Sequence, residues 1–383
     1  MVCLFSEIPR SRFSKRIPTQ IKICGLLRRG MNYRIKNIYA KLEKSNLDGF
    51  ILSYPANISY LTYFTSRDSY LIISKKNNVY LTDSRYLLEA NLKLNRTFTI
   101  KKINGSVFKI LADVCVKLGL KRIGFEERYL PYAEYKKIND ELEKKAELIP
   151  THNIIEDPRQ IKSQAELEKI KKAVRITIDA FKFIKDFISA GKKEIEIAAE
   201  LERFIRYGGA CMSAFDIIVA SGPNSSFPHH LTSGRKIKGD EVIMIDLGVD
   251  YMGYKSDLTR VFFSGKISPI IKRIYDIVHQ AQEQAIKKIK PGAKINEIDK
   301  ASRQYITQRG YGGFFGHNLG HGVGLEVHEA PYISSKETSK LKPGMVFTIE
   351  PAIYLPGKFG IRIEDMVLVT KRGVELLSDS LDK

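Results

Sequence analysis

The chain has 383 residues, 43% of them hydrophobic, and a formal net charge of +20 at neutral pH. This length and apolar content suit a globular protein with two cored domains and exclude a disordered or fibrous class. The longest apolar runs, such as residues 242–247, are well short of the roughly 20 residues that a membrane span requires, so no membrane helix is expected.

The excess of basic residues does not indicate a nucleic-acid-binding protein. Many lysines are spread along a predicted helix at about 163–189, with acids such as Glu166 and Glu168 among them. A nucleic-acid surface would instead gather basic side chains into a patch interleaved with stacking aromatics. We therefore interpret this charge as a solvated helix surface.

The cysteines give no sign of a disulfide framework or a zinc site. Cys3, Cys24, Cys115 and Cys211 are widely separated, and none forms a C-x-x-C spacing. A reducing cytoplasm is the natural compartment for such a chain.

Residues 1–30 form a basic tail that differs from the rest of the chain. Seven basic residues accompany a single acid, Glu7. The segment has no apolar core followed by a small-residue cleavage site, so a secretory signal is not expected. A disordered tail, a targeting arm and an upstream extension outside the native protein all stay open. We favour the extension, with the native start at Met31, because helical periodicity begins only there.

Helical and strand patterns alternate over residues 31–157, which is typical of an α/β domain. Ile35, Ile38 and Leu42 form a helical stripe, and residues 49–53 and 70–74 have the pattern of strands. The domain carries no cluster of ligand or nucleophile residues. We expect it to support a site whose chemistry lies elsewhere.

A second domain is predicted over residues 158–383. Residues 154–158 are typical of a linker, because proline and its predecessor resist helix formation, and a capping box at Ser163 and Glu166 then starts a helix. Helices are predicted at about 163–189, 193–207, 268–289 and 295–309, and strand-rich blocks at 216–264 and 315–370. Separate runs of helices and strands indicate an α+β domain with a mainly antiparallel sheet, and the repeated order suggests internal pseudo-symmetry.

Two acids lie on neighbouring strand patterns in the first strand-rich block. Asp246 ends the apolar run V-I-M-I-D, and Asp257 follows eleven residues later, after turn residues around Gly253. If the strands pair as a hairpin, the two carboxylates lie close together, and on one sheet face if the register is right. Because an acid in an apolar strand is costly to bury without a compensating cation, the pair indicates a cation site.

The second strand-rich block repeats this arrangement. Glu350 in T-I-E-P and Glu364 in R-I-E-D flank a loop centred on Pro356 and Gly357. Four converging acids would repel one another and raise their pKa values unless positive charge lay among them. Two divalent cations balance four carboxylates, whereas one would leave an excess of negative charge.

A histidine in a glycine-rich segment completes the candidate ligand set. His321 lies within G-H-N-L-G-H-G-V-G, and its flanking glycines permit close backbone approach to a ligand. Four carboxylates and one imidazole suit Mn²⁺ or Co²⁺, with Zn²⁺ or Fe²⁺ as alternatives, because pure Mg²⁺ or Ca²⁺ sites rarely recruit histidine. We predict two divalent ions, with Mn²⁺ favoured.

With these motifs in their order and near their spacings, the chain resembles the creatinase/prolidase ("pita-bread") metallopeptidases, and among them the Xaa-Pro aminopeptidases and dipeptidases. The resemblance covers residues 31 to about 375 and rests on the D-x(10)-D, H-G-V-G, T-I-E-P and R-I-E-D blocks. It implies a creatinase-like α/β N-terminal domain at 31–157 and a pita-bread catalytic domain with a pseudo-two-fold antiparallel sheet at 158–383.

The resemblance also implies how the metal ligands divide. Asp257 and Glu364 would bridge the two ions, Asp246 would chelate one ion, and His321 with Glu350 would complete the other. A water or hydroxide between the ions would be the nucleophile, since metal binding lowers its pKa. Glu350 would in addition shuttle protons to or from it.

Further residues match family positions outside the ligand set. His229 and His328 correspond to two catalytic histidines that would steady the tetrahedral intermediate and the substrate amide. His317 resembles a position that lines the proline-side pocket. Arg362 is expected either to orient an acidic ligand or to bind the substrate carboxylate. His230 is expected to be loop surface.

The reaction that the resemblance predicts is hydrolysis of the bond between an N-terminal residue and a following proline. The creatinase-like first domain and the segment G-L-E-V-H-E favour this branch over methionine-type aminopeptidases, which resemble only the second half. A non-catalytic binding protein of this family, or a creatinase-type amidinohydrolase, would lack the metal residues. Aminopeptidase and dipeptidase modes stay open. Relatives imply a homodimer, with proline-containing peptides as substrates.

Overall fold

The computed structural model describes residues 20–65, 67–94 and 97–383, and for residues 20–28 it describes the backbone only. The basic tail at 1–30 therefore lies largely outside the described residues. Its last part falls in helix α1 (Gln20–Lys44), which begins before Met31, where the sequence periodicity begins. The chain divides into two compact units, one that ends at His152 and one that spans Asn153–Lys383.

The first unit is an α/β structure around one mixed sheet, as predicted. After α1 its elements are β1 (Gly49–Leu52), α2 (Pro55–Thr62), β2 (Ser69–Ser74), β3 (Val79–Thr82), α3 (Leu87–Leu94), β4 (Thr99–Lys102), α4 (Val107–Lys117), β5 (Arg122–Glu126), α5 (Tyr132–Leu142) and β6 (Glu147–Thr151). The strand order is β4-β3-β2-β1-β5-β6, with β1 antiparallel to β2 and parallel to β5. The predicted stripe of Ile35, Ile38 and Leu42 is buried.

The second unit is α+β, and its strand pairs are antiparallel. Its elements are α6 (Glu156–Arg159), α7 (Gln164–Ile184), α8 (Glu194–Tyr207), β7 (Met212–Ser213), β8 (Ile218–Ser221), β9 (Val242–Leu247), β10 (Val249–Tyr251), β11 (Tyr254–Lys255), β12 (Leu258–Phe263), α9 (Pro269–Ile286), α10 (Ile295–Gln308), β13 (Gly320–Gly322), β14 (Glu329–Ile333), β15 (Val346–Ile349), β16 (Ala352–Leu355), β17 (Phe359–Arg362), β18 (Asp365–Val369) and β19 (Val374–Leu376). The predicted α+β class is confirmed.

The start of this unit differs in part from the sequence prediction. A linker was expected at 154–158, but Pro158 lies in the single turn of α6. Proline is tolerated there because the N–H groups of a first turn need no intrahelical acceptor. The predicted capping box of Ser163 and Glu166 does start α7, and Glu166 accepts the Ser163 N–H at 2.9 Å. Helix α7 ends at Ile184, earlier than predicted.

The second unit contains the predicted internal repeat. Each repeat has a pair of helices followed by strands, with α7 and α8 in the first repeat and α9 and α10 in the second. In each repeat one isolated antiparallel bridge joins the residue before the second helix to a segment later in the chain. The bridges are Lys193↔Lys236 and Lys294↔Lys340. Matching backbone bonds of 2.9 Å join Gly191 N–H to the Ile237 carbonyl and Gly292 N–H to the Leu341 carbonyl. The offset that relates Lys236 to Lys340 also relates Asp246 to Glu350.

Strand β9 shows how the core positions the site. Val242 and Met244 point into one buried apolar cluster, while Ile243 and Ile245 point into another. Burial of such side chains contributes roughly 1.5 to 3 kcal/mol each, so both faces hold the strand in register. Asp246 lies at the end of this strand, on the face of Val242 and Met244.

Among the described helices, none has the length and apolarity to cross a membrane.

Candidate metal centre

The first pair of acids lies on a hairpin, as predicted. Strand β9 pairs with β12 so that Asp246 faces Thr259, and Asp257 immediately precedes β12. The turn between β10 and β11 includes Gly253 at a φ of 86°, a left-handed value that glycine adopts without strain. The hairpin therefore brings Asp246 and Asp257 to the same end of the sheet.

The second pair of acids lies where two hairpin segments meet. Ile349 pairs with Asp365 in the β15 and β18 ladder, and Ala352 pairs with Arg362 in the β16 and β17 ladder. Glu350 and Glu364 occupy the break between the two ladders and face each other. The Glu364 N–H donates to the Thr259 carbonyl at 3.2 Å, which ties this hairpin to the first.

His321 joins the acids from strand β13. Its Nδ1 lies 3.2 Å from the Gly322 carbonyl, to which it can donate, and its Nε2 faces the acids. A metal ion at the centre would replace the proton that Nε2 otherwise donates to Glu350. Nε2 lies 3.2 Å from Glu350 Oε1 and 3.6 Å from Asp257 Oδ2.

The glycines beside His321 serve a different purpose from the one predicted. A Cβ at Gly320 would lie 2.0 Å from the Thr348 carbonyl oxygen, and one at Gly322 would lie 2.3 Å from the Ala330 carbonyl oxygen. The expectation that they admit a ligand was wrong, because they admit neighbouring strands. These strands fix His321 by its backbone.

The structure brings all five predicted ligand residues together. Ligand atoms within 4.8 Å of one another form three overlapping groups, namely Asp246, Asp257 and Glu364; His321, Glu350 and Glu364; and Asp257, His321 and His328. The first group has the composition of one ligand set that the family resemblance implies, and the second group has that of the other set without its bridging Asp257. The third adds His328, which was expected to act without binding metal.

Burial and mutual repulsion dominate the electrostatics of the acids. Burial, with the charge of Glu364, raises the pKa of Asp257 well above its ordinary value. Burial, with the charges of Glu350 and Asp246, likewise raises the pKa of Glu364. For Glu350 burial opposes ionisation, but the hydrogen bond from His321 prevails and lowers its pKa to about 2. Without added positive charge, the cluster holds several of its acids in an unfavourable state.

An orphaned carboxylate oxygen tests whether cations fit this site. Asp246 is buried, and its Oδ1 has no hydrogen-bond partner within the part of the chain that the structure describes. Such an atom is unfavourable unless a positive charge meets it. The donor set of four carboxylates and one imidazole is also the set that divalent transition metals accept. The residues present therefore fit two divalent cations.

Two threonines that the sequence analysis did not single out orient the acids. The Thr259 hydroxyl donates to Glu364 Oε2 at 2.8 Å and accepts from Arg362 Nε at 3.0 Å. The Thr348 hydroxyl donates to Glu350 Oε1 at 3.1 Å and accepts the His321 N–H at 3.1 Å. Strand alternation was an available signal, because Thr348 lies two residues before Glu350 and so shares its face.

Arg362 binds protein groups of the site. Its guanidinium is buried and donates to Asp246 Oδ2 at 2.6 Å, to the Tyr354 hydroxyl at 2.6 Å and to the Pro228 carbonyl at 3.1 Å. Of the two roles expected for Arg362, these contacts favour the orientation of an acidic ligand over the binding of a substrate carboxylate.

Two of the predicted histidines line the cleft beside the acids. His229 and His328 are exposed and border a cavity of about 750 Å³ together with Asp246 and Asp257. The rings of His321 and His328 are 4.2 Å apart between centroids. Partial burial of the imidazole, with the charge of His321, lowers the pKa of His328 to about 4, so the ring is neutral at neutral pH.

His317 lies on the Glu350 side of the centre. Its Nε2 is 3.2 Å from the Tyr354 hydroxyl, and its Nδ1 is 4.0 Å from Glu350 Oε2. Burial lowers the pKa of His317. A neutral imidazole beside Glu350 can accept or donate a hydrogen bond.

His230 is not loop surface, contrary to the expectation. Its side chain is 13% exposed, and its Nε2 lies 3.0 Å from an oxygen of the fully buried Glu194. Sequence reasoning missed this contact because 36 residues separate the partners.

Comparison with protein families gives two matches. A model of metallopeptidase family M24 matches residues 168–371, and a model of the creatinase/prolidase N-terminal domain matches residues 34–161.

Individual relatives match along most of their length. An Xaa-Pro dipeptidase of Pyrococcus horikoshii is 37% identical over 91% of this chain and 97% of its own. The solved structure of an Xaa-Pro dipeptidase from Bacillus anthracis has a TM-score of 0.89 at 38% identity, over 92% of this chain and 99% of its own. That of an X-Pro aminopeptidase from Thermotoga maritima has a TM-score of 0.82 at 37% identity, over 90% and 97%.

Proposed function

This chain belongs to metallopeptidase family M24, and on that premise we propose that it hydrolyses the peptide bond between an N-terminal residue and a following proline. It is a peptide hydrolase of the Xaa-Pro dipeptidase and aminopeptidase type, with a creatinase-type first domain and a pita-bread second domain. The observation that carries the proposal is that four acids, each in a strand or directly beside one, meet His321 at one point.

The proposed metal ligands are the five converging residues. Asp246, Asp257 and Glu364 would hold one ion, and His321, Glu350 and Glu364 the other, with Asp257 as a second bridge. Ions held there would supply a water of lowered pKa as the nucleophile and would polarise the scissile carbonyl. Mn²⁺ is the ion we propose for this donor set, with Co²⁺, Zn²⁺ or Fe²⁺ as alternatives.

The chain's own side chains would handle protons and charge. Glu350 would take up the proton released by the nucleophile and pass it to the leaving nitrogen. His229 and His328 border the same cavity and would donate hydrogen bonds to the developing oxyanion and the substrate amide. His317 would contact the proline side of the substrate, and Arg362 would hold Asp246 in place.

Methionine-type aminopeptidase activity is the alternative on the same fold. The match to a creatinase/prolidase N-terminal domain supports the proline-specific branch, because the competing branch resembles only the second half of this chain. The similarity to Xaa-Pro dipeptidases along both units supports the same choice.

We also propose a compartment, domain bounds and an oligomeric state for the enzyme. We place it in the cytoplasm, because Cys115 and Cys211, the cysteines whose side chains the structure describes, are free thiols. We propose two functional domains, 31–157 and 158–383. We further propose a homodimer, for which sedimentation velocity should give twice the chain mass of 43.6 kDa.

One assay tests the activity. The Mn²⁺-reconstituted protein is incubated with an Xaa-Pro dipeptide, an Xaa-Pro-Xaa tripeptide and an N-terminal methionine peptide without proline. We expect cleavage of the Xaa-Pro bond in one or both of the first two and none of the third. Cleavage of the methionine peptide alone would replace the proposal by its alternative, and the ratio of the first two rates separates dipeptidase from aminopeptidase mode.

A further inference from the structure

The segment that carries His229 is a long loop. It leaves β8 at Ser221 and returns to helix α8 at residues 233–235, where the Glu194 N–H donates to the Arg235 carbonyl and the Ile195 N–H to the Ser233 carbonyl, both at 3.1 Å. A loop of this length holds a catalytic imidazole in place only if side-chain contacts remove its freedom.

Glu194 supplies those contacts at both ends of the loop. Its side chain is fully buried at the first position of α8. Oε1 accepts the Ser221 N–H at 2.8 Å, the Ser221 hydroxyl at 2.7 Å and the Asn224 amide at 3.0 Å. Oε2 accepts the Ser233 N–H at 3.2 Å and the Ser233 hydroxyl at 2.6 Å, and it lies 3.0 Å from Nε2 of His230, the neighbour of His229.

These bonds keep the buried group ionised. Burial alone would favour the neutral acid, but the hydrogen bonds from Ser233, His230 and Ser221 outweigh it and lower the pKa of Glu194. The carboxylate also lies at the helix start, where a negative charge is favoured. Glu194 is therefore a charged acceptor with donors on both oxygens.

The internal repeat shows that the scaffold does not require an acid here. The bridges Lys193↔Lys236 and Lys294↔Lys340 make Ile295 the counterpart of Glu194. Ile295 is fully buried in an apolar core cluster. An aliphatic side chain satisfies this position in the second repeat, and the carboxylate occurs in the repeat whose loop carries His229.

We propose that Glu194 is a positioning residue for catalysis, which fixes His229 beside the metal centre by holding Ser221, Asn224, His230 and Ser233. This inference rests on the proposed Xaa-Pro peptidase function. Glu194 does not border the cleft cavity that His229 shares with Asp246 and Asp257, so it acts through the loop and touches no substrate.

The first test is Glu194→Gln in the Mn²⁺-loaded full-length enzyme. The amide keeps the volume of the carboxylate, but its NH₂ group faces the donors that one carboxylate oxygen accepts in the parent, so the loop should shift. Because a displaced catalytic group loses rate steeply with distance, we expect kcat on an Xaa-Pro dipeptide to fall about 10-fold to 100-fold. KM and the metal content should stay near those of the parent. Glu196→Gln is the matched control, since Glu196 is exposed, lies in the same first turn and accepts the Lys193 N–H of the helix cap. It should keep the parent kcat.

A double-mutant cycle distinguishes positioning from general damage. In a His229→Ala background Glu194→Gln should have no further effect on kcat, whereas in a His328→Ala background it should lower kcat by its full factor. Equal factors in both backgrounds, or a parent-like kcat for Glu194→Gln, would overturn the inference. If Glu194→Gln does not fold, Ser233→Ala removes one of the bonds and should show the same dependence on His229 with a smaller factor.

The activity of His229→Ala separates the proposed role of His229 from the proposed role of Glu194. If His229→Ala retains the parent kcat, the catalytic role of His229 is wrong, and Glu194 then has nothing to position. If His229→Ala is inactive while Glu194→Gln is fully active, the peptidase proposal stands and the inference about Glu194 is wrong.

Discussion

At the scale of single residues, most acids of the metal centre have one partner that fixes their orientation. Thr259 holds Glu364, Thr348 holds Glu350 and Arg362 holds Asp246. Asp257 differs, because its carboxylate lies against like charges, with the imidazoles of His321 (Nε2 at 3.6 Å) and His328 nearby. The acids without a nearby cation depend most on bound metal.

Asp257→Asn should therefore separate metal binding from folding. Burial and the charge of Glu364 raise the pKa of Asp257, so loss of this carboxylate relieves an unfavourable group. We expect the metal-free variant to unfold at the same temperature as the parent or higher. The increase in unfolding temperature that Mn²⁺ gives the parent should be absent, and Xaa-Pro cleavage should fall by at least about a thousandfold.

Thermal unfolding with a chelator and with Mn²⁺ measures both effects. The exposed Asp179, in helix α7, provides a control, and Asp179→Asn should behave as the parent in both conditions. A variant at Asp257 that keeps its Mn²⁺ response and its activity would contradict the proposed bridging role.

The guanidinium of Arg362 allows a second prediction at this scale. A lysine side chain cannot bind Asp246, Thr259 and Tyr354 together as the guanidinium does. Arg362→Lys should therefore leave Asp246 less well oriented. We expect the affinity for Mn²⁺ to fall about 10-fold to 100-fold, which is the usual effect of losing a partner that orients a metal ligand. KM for an Xaa-Pro dipeptide, measured at saturating Mn²⁺, should change little.

Calorimetric titration of Mn²⁺ and steady-state kinetics separate the two roles expected for Arg362. The opposite pattern, with unchanged Mn²⁺ affinity and a raised KM, would instead assign Arg362 to the substrate carboxylate. Arg372→Lys, at an exposed position, serves as the control for both measurements.

At the scale of elements, two loops carry His229 and His328, the histidines proposed to act in catalysis, and a buried glutamate holds each loop. Glu194 binds the His229 loop. Glu329 follows His328 directly and binds Lys162 at 2.7 Å and Arg159 at 2.5 Å. These three ion-paired side chains are at most 7% exposed. The His328 loop is therefore tied to the segment around α6.

The ion cluster around Glu329 should contribute strongly to stability. Glu329→Gln removes the buried anion that Lys162 and Arg159 share and leaves Arg159 paired with Glu326. Loss of one partner of a buried ion pair costs about 3 to 5 kcal/mol in comparable cases. Burial opposes ionisation of Glu329, but Lys162 and Arg159 prevail and lower its pKa. A carboxylate with a lowered pKa stabilises the fold above its unfolded pKa, and this contribution is lost as the pH falls through the folded pKa.

Denaturant unfolding of parent and variant as a function of pH measures this contribution. The difference in unfolding free energy should be largest near neutral pH and should shrink in acid. Glu375→Gln is the control, since Glu375 pairs with Lys171 on the surface and such pairs contribute only about 0 to 1 kcal/mol. A difference that did not depend on pH would mean that the charge of Glu329 is not what stabilises the cluster.

The elements also show what the sequence could and could not predict. Strand periodicity with one acid in an apolar run located Asp246 and Glu350, because burial of a carboxylate leaves a local signal. The contact of His230 with Glu194 gives no local signal in the sequence, since it depends on how α8 packs on a loop that is distant along the chain. The glycines around His321 were located but misinterpreted, because what a missing Cβ admits depends on strands that pair later in the chain.

At the scale of the whole molecule, the proposed metal centre lies in the second unit. All three groups of potential metal ligands in the described part of the chain lie within Asn153–Lys383. The ligands come from both repeats, with Asp246 in β9 of the first and Glu350 directly after β15 of the second. Metal ions at this point would join the two repeats, and metal binding should therefore stabilise strands of both repeats in the second unit.

Removal of metal should consequently loosen the second unit more than the first. Ligand bound only to the native state stabilises it by about 4 kcal/mol at 1,000 times the dissociation constant. With a chelator, we expect faster amide hydrogen exchange in β9, β12, β15 and β18, and little change in β1, β2 and β5. Exchange followed by mass spectrometry, with and without saturating Mn²⁺, measures this directly. Equal protection of the second-unit strands in both conditions would show that the acids tolerate one another without cations, which contradicts the electrostatic basis of the site.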